Sequence, residues 1–390
     1  MKILFLLSRF PYPLSKGDSL RAFHQMRELS QQGEVVAFAV SDREIAQEEY
    51  EKVSFLQKIH VFHLNKIGIA GRLLAAFLQK IPFQIAYFYS QKAQKALDIF
   101  IEEEKPDVIF CQLARMAKYC ENVAISTKIL DYQDAFSAGL ERRIAKSPFY
   151  YRPFLQAEYR RMLKYEAEIF AQFPIKTIIS EPDRQLIAHP QQAEIHLLPN
   201  GVQCEVFQPD ISVAKKYDLL FVGNMAYPPN VNCVEYIVKE ALPLLKKDFP
   251  SLTFAIAGIN PAPQVRALAS ENVRVTGFVP DMRNYYNTSR IFLAPMQIGI
   301  GLQNKLLEAM AMEMPCITSS LANKALEATP DIHLFVCDSP EMMAEKVAFL
   351  LQNPAFAVEM GKKARIFVAE KYSWKGQNEK LIKLVFLKNK

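Results

Sequence analysis

The sequence has only six cysteines, and none forms a Cys-x-x-Cys pair or stands at finger-like spacing from a histidine. A disulfide scaffold and a structural zinc site are excluded, and Cys111, Cys120, Cys204, Cys233, Cys316 and Cys337 are expected to be reduced thiols. No Asp-x-Asp occurs, which removes a common carboxylate anchor for a metal-bound diphosphate, and no metal or cofactor is expected. Long apolar runs are missing: residues 67–78 are interrupted by Arg72 and stop at Gln79 and Lys80, short of the roughly 18 residues of a spanning helix. Behind Lys2 stand five apolar residues, Ile3 to Leu7, fewer than the about 7 to 15 of an export signal, so a cytoplasmic location is expected. Glycine (13) and proline (23) are too sparse in 390 residues for a collagen-like or disordered chain. Charge of one sign is scarce as well. The net charge is +6, divided evenly between the halves, which gives no domain-wide nucleic-acid footprint and no nucleic-acid partner.

What is present is an alternation of apolar runs and helical patterns, the signature of parallel sheets with crossover helices. Strands are expected at 2–7, 34–40, 60–64, 107–111, 128–132 and 176–180, then at 218–222, 252–257, 272–276, 291–294 and 315–318. The best first-half helix spans 18–32, with Asp18 or Ser19 as N-cap and Gly33 as the stop. Later helices are expected at 231–245, 264–269 and 302–312. The Pro199-Asn200-Gly201 turn and the polar stretch after it separate two sheets. Three regions follow: a Rossmann-like domain over 1–199, a second over 200–371, and a helix over 372–390 that returns to the first, with Trp374 near the hinge. Two such sheets facing one cleft would direct helix N-termini toward an anionic ligand.

Between Met296 and Met312 a glycine turn, Gly299-Ile300-Gly301, opens an apolar helix carrying Lys305 and, three residues on, Glu308. Turn, cation and carboxylate on about one face suit a diphosphate and ribose hydroxyls. The plainer alternative is a loop followed by a helix with a surface ion pair. Asp134, after the strand at 128–132, would orient an acceptor hydroxyl or else cap the next helix. His60 and His63 lack a Cys or carboxylate neighbour in sequence and read as ordinary strand residues. Residues 66–97 hold Lys66, Arg72, Lys80, Lys92 and Lys95 with no acid. Residues 142–164 hold Arg142, Arg143, Lys146, Arg152, Arg160, Arg161 and Lys164 against Glu158 alone. Both are rich in aromatics, which fits an anionic membrane surface as readily as solvated helix faces.

The order Pro199-Asn200-Gly201, Phe221-Val222-Gly223-Asn224, Gly277-Phe278-Val279-Pro280 and Gly301-Leu302…Lys305…Glu308 resembles the C-terminal half of family-4 glycosyltransferases, retaining enzymes of the GT-B fold. Arg9-Phe10-Pro11, Lys16-Gly17-Asp18 and Arg21, with Asp131, Asp134 and Ser137, resemble the bacterial exopolysaccharide sugar-transferase branch. The resemblance implies an α/β, GT-B chain of two doubly wound Rossmann-like domains facing an interdomain cleft. It implies a hexosyl transfer from a nucleotide diphosphate sugar, which is a substrate and not a cofactor, to a glycan or polyprenyl-linked acceptor. The cell-surface acceptor would place the protein in the cytoplasm, peripheral on the inner face of the plasma membrane. By the same resemblance Glu308 meets the ribose, and Lys305 with Gly301 and Leu302 meets the diphosphate. Gly223 and Asn224 border the donor, Gly277, Phe278 and Val279 meet the base, and Gly17 and Arg21 approach from the first domain. Lys305, Glu308 and Asp134 are the expected catalytic group. The chain departs from the pattern at Ile300, where a Glu is usual, at Asn224-Met225, where Arg and Lys commonly follow the turn, and at Gln133-Asp134, where a His is usual. A non-catalytic scaffold of this fold and a nucleotide-sugar epimerase are the alternatives.

Overall fold

Apolar runs buried on two sides form two parallel sheets in the computed structural model, which describes residues 1–125, 127–298 and 301–386. The first sheet contains β1 (Lys2–Leu7), β2 (Glu34–Ser41), β3 (Lys58–His63), β4 (Val108–Gln112), β5 (Thr127–Gln133), β6 (Ile175–Ile178) and β7 (His196–Leu197). Their order is β3-β2-β1-β4-β5-β6-β7. The second contains β8 (Tyr217–Val222), β9 (Phe254–Ala257), β10 (Val273–Val275), β11 (Ser289–Ala294), β12 (Cys316–Thr318) and β13 (Phe335–Val336), in the order β10-β9-β8-β11-β12-β13. Every pairing is parallel. Strand order reverses between β1 and β4 and between β8 and β11, the positions where open α/β sheets bind ligands.

β1 shows why the runs are continuous. Leu4 and Leu6 enter the apolar core on one face of the sheet, while Ile3, Phe5 and Leu7 enter the core on the other. Alternate residues point to opposite faces, so a sheet covered by helices on both sides needs no polar positions in its central strands. The C-terminal helix Trp374–Phe386 adds Leu381 and Val385 to the Ile3 side.

The chain divides into two units, residues 1–199 with 378–390, and residues 200–377. The changeover therefore falls inside the last helix rather than at 372. Trp374 is buried, and its backbone closes on Gly201, whose missing side chain leaves room: a Cβ there would lie 2.5 Å from the Trp374 nitrogen. The expected helix at 231–245 is present and continuous, running through Pro228–Tyr236, a wide π-type turn at Ile237–Ala241 and Leu242–Leu245. Pro243 lacks an N–H and crowds the preceding turn, which a wider turn relieves. No helix among the described residues is long and apolar enough to cross a membrane.

Candidate functional site

The second unit builds its site at the β8/β11 reversal. Gly223 follows β8 directly and donates to the Ala257 carbonyl (3.0 Å). Gly258, with φ +147°, lies so near that a Cβ would fall 1.7 Å from the Gly223 oxygen. Gly258 pairs in turn with Gly277 beyond β10. A Cβ on Gly223 would sit 2.6 Å from Asn230 Nδ2 and 3.4 Å from Lys305 Nζ. Glycine at 223 and 258 lets the ends of β8 and β9 approach closely, and at 223 it leaves room for Asn230 and Lys305.

Lys305 stands in the first turn of helix Asn304–Ala311, which follows β11. Its ammonium donates to Asn230 Oδ1 and lies 4.3 Å from the Phe221 ring centre. Asn230 is fixed by a bond from Nδ2 to the Asn224 carbonyl (2.9 Å). Lys305 forms no ion pair among the described residues, and burial lowers its pKa to about 8. A half-buried cation beside a helix N-terminus, with only neutral partners, is prepared for an anion.

Glu308, one turn on, accepts from the hydroxyl of the buried Tyr286 (2.8 Å). Burial raises its pKa to about 7, against the lowering effects of Tyr286 and Lys305. The two side chains thus take different partners and do not form the surface pair of the plainer reading. Gly301 has φ +99°, and its carbonyl accepts from Gln303 Nε2 (3.2 Å). Leu302 and Val279 are half-buried, and Phe278 is 75% exposed. Ile300 lies outside the described residues.

In the first unit one expectation is corrected. Arg21 is fully buried, with Nε and Nη2 donating to Asp131 Oδ2 (2.6 Å) and Oδ1 (2.9 Å). Thr177 Oγ1 also donates to Asp131 Oδ1 (2.7 Å). Arg21 is committed to this ion pair inside the fold and is not presented to a donor. Gly17 begins helix Gly17–Leu29 and is exposed, and a Cβ there would meet nothing within 4 Å, so the protein itself does not demand a glycine.

Asp134 does not cap the next helix. Glu166 does, its carboxylate accepting from the Phe136 (2.7 Å) and Ser137 (3.3 Å) backbone N–H groups. Asp134 itself is an exposed residue. Surrounding protein atoms raise its pKa to about 7, Asp183 adds to the rise, and Arg115 and Arg142 oppose it. His60 stacks on Phe38, and no group of three or more potential metal ligands occurs among the described residues.

The two basic aromatic segments meet through Phe83, which stacks on Phe154 at 5.3 Å and donates its N–H to Glu158 (2.6 Å). Ile67, Leu74, Phe77 and Leu78 project from helix Lys66–Gln79, and Phe149 and Tyr150 are as open. Arg72, Arg142 and Arg161 are partly buried rather than solvated, and Arg72 is held by the protein itself, through the Ala86 and Tyr87 carbonyls at 3.0 Å each.

Residues 216–353 match the family described as Glycosyl transferases group 1. The whole chain is 20% identical to an uncharacterized 44.6 kDa protein of the cps region of Klebsiella pneumoniae, covering 100% of both chains. Among solved structures, Anabaena HepE in complex with UDP superposes with a TM-score of 0.72 at 11% identity, covering 99% of each chain. WaaG, a glycosyltransferase involved in lipopolysaccharide biosynthesis, gives 0.67 at 14% identity, over 98% of this chain and 99% of that one. The chain has the GT-B fold. Within this GT-B chain the segment that matches the family carries Gly223, Asn224, Gly277, Lys305 and Glu308. Sequence reasoning did not assign Asn230 or Tyr286 to the site. Asn230 stood beside a quoted motif, whereas Tyr286 left no signal of its own.

Proposed function

We propose that the protein is a retaining glycosyltransferase whose second unit holds a nucleotide diphosphate sugar and whose first unit holds a glycan or lipid-linked acceptor. The observation that carries this reading is Lys305, a half-buried ammonium without an anionic partner among the described residues, at the start of a helix that also carries Glu308. Charge builds on the diphosphate as the glycosidic bond breaks. A cation and helix N–H groups fixed beforehand stabilise that charge without reorganising. Glu308, oriented by Tyr286, accepts from ribose hydroxyls.

In this reading the bond from C1 to the diphosphate oxygen breaks and the acceptor oxygen bonds C1 on the same face. The acceptor proton passes to the departing diphosphate. Asp134, with a pKa near neutrality, orients the acceptor hydroxyl. The diphosphate charge is met by Lys305 and the helix rather than by a metal. The likeness to HepE, solved with UDP and with UDP-glucose, makes uridine donors the first to try. The relative in a cps region and the likeness to WaaG support a cell-surface glycan acceptor. The exposed apolar residues of helix Lys66–Gln79 beside lysines support reversible contact with an anionic membrane.

A thermal-shift panel of UDP-, GDP-, ADP- and dTDP-sugars tests the reading. A ligand at 100 times its dissociation constant adds about 2.7 kcal/mol of apparent stability. One nucleotide class should raise the melting temperature in wild type and raise it distinctly less in Lys305→Met. No shift with any of them refutes the reading.

A further inference from the structure

A cavity of about 670 Å³ lies in the first unit outside the carboxyl ends of β1 and β2. Its polar wall includes Ser8, Arg9, Lys16 and Arg115, and its apolar wall Leu73, Phe83, Tyr87 and Phe88. Arg9 Nε is 2.7 Å and Arg115 Nη2 3.1 Å from the same carboxylate oxygen, Asp18 Oδ2, so two guanidiniums share one acid. The nearby Asp42 is engaged by the Tyr87 hydroxyl (2.6 Å). Arg43, also in the wall, is paired with Glu49.

The Arg115 guanidinium lies 4.6 Å from the Phe88 ring centre and 5.4 Å from that of Phe136. These rings fix its plane, leaving its edges for hydrogen bonds. Its Nε is buried without a partner, as is the hydroxyl of Ser8, a residue only 3% exposed. Buried donors are ordinarily satisfied. Desolvation, then the Arg9 charge, lowers the Lys16 pKa, with Asp18 and Asp42 opposing.

We propose that this cavity binds a phosphate ester of the acceptor, with Arg9, Lys16, Arg115 and the Ser8 hydroxyl around the phosphate oxygens and the Leu73, Phe83 and Phe88 wall against the attached group. Several cations on one spot suit a multiply charged phosphate better than a single carboxylate, which one arginine satisfies. The volume fits a small ligand. Leu73 faces the cavity while its neighbour Leu74 is 71% exposed, so the apolar wall continues toward the open face of helix Lys66–Gln79. The acceptor role rests on the transferase reading. The anion chemistry does not.

The test is calorimetric titration of wild type, Lys16→Gln and Arg115→Gln with geranyl diphosphate, inorganic pyrophosphate, geraniol and, in parallel, UDP. Geranyl diphosphate should bind, and each variant should lose roughly tenfold or more of that affinity, as expected for a charged hydrogen bond, with UDP affinity unchanged. Lys16 is exposed, so its variant remains readable if Arg115→Gln does not fold. Tighter binding of geranyl diphosphate than of pyrophosphate supports the site and assigns a lipid-borne phosphate, whereas equal binding overturns the role of the apolar wall and leaves only the anion site. Phosphate probes that do not bind, bind no better than geraniol, or bind both variants as they bind wild type overturn it. If UDP fails to bind wild type while geranyl diphosphate binds, the donor assignment falls and this site stands.

Discussion

Replacing Arg21 by Met separates a residue that holds the fold from one that holds a ligand. The side chain is fully buried and supplies two of the three bonds to the equally buried Asp131, the third coming from Thr177. Arg21→Met leaves a carboxylate in the interior with one neutral donor, and breaking such a pair costs about 3–5 kcal/mol. Arg21→Met combined with Asp131→Leu removes both charges and most of their desolvation cost, and should recover most of that loss. Urea unfolding followed by far-ultraviolet circular dichroism measures the loss, and hydrogen exchange in β5 assigns it to the first unit. UDP affinity of the folded fraction should stay within about twofold of wild type. A variant destabilised by less than about 1 kcal/mol but unable to bind UDP would refute the reasoning and return Arg21 to the donor site.

Glu308→Ala strands the hydroxyl of buried Tyr286 and should cost about 1–3 kcal/mol of stability besides weakening the donor. Glu308→Gln keeps an acceptor for Tyr286 and should keep the stability, so equal melting temperatures for the two variants contradict the contact. Lys305, lowered from 10.5 to about 8, gives up its proton as pH rises through 8. Donor affinity should therefore fall above that pH in wild type and stay flat in Lys305→Met. Glu308, raised from 4.5 to about 7, costs folding free energy once ionised. Its contribution to stability is full below pH 4.5 and is lost as pH rises through 7, and Glu308→Gln should flatten that slope in urea titrations. Anionic liposomes should carry the protein in flotation at 0.1 M salt and release it at 1 M, where the screening length falls from about 10 Å to about 3 Å. Lys80→Gln with Arg152→Gln and Arg160→Gln should weaken that binding, and indifference to salt and substitution would leave these helices as ordinary solvated faces.

The parallel sheets were legible because burial on both faces writes itself as unbroken apolar runs; β1 has the bounds its sequence announces. β7 and β13, two residues each, leave no run to read. Helix 231–245 follows apolar periodicity, which does not register that Pro243 forces a wider turn. At the site, spacing placed Lys305 and Glu308 on one face, but what orients them comes from far along the chain. Asn230 is 75 residues from Lys305, and Tyr286 is 22 from Glu308. Arg21 misled for the same reason. Beside a glycine loop it looks like a phosphate ligand, and only a partner 110 residues away shows it to be internal. For Asp134 the sequence left two roles open, orienting an acceptor hydroxyl or capping the next helix; the cap is Glu166, 30 residues beyond the Phe136 N–H it accepts from.

The most direct test is the affinity of the purified protein for UDP at pH 7.5, by titration calorimetry, in wild type, Lys305→Met and Glu308→Gln. One UDP should bind per chain, and each substitution should weaken it by roughly 1.5–3 kcal/mol, the value of a hydrogen bond to a charged group. UDP binding that survives both substitutions unchanged would contradict a donor site at helix Asn304–Ala311.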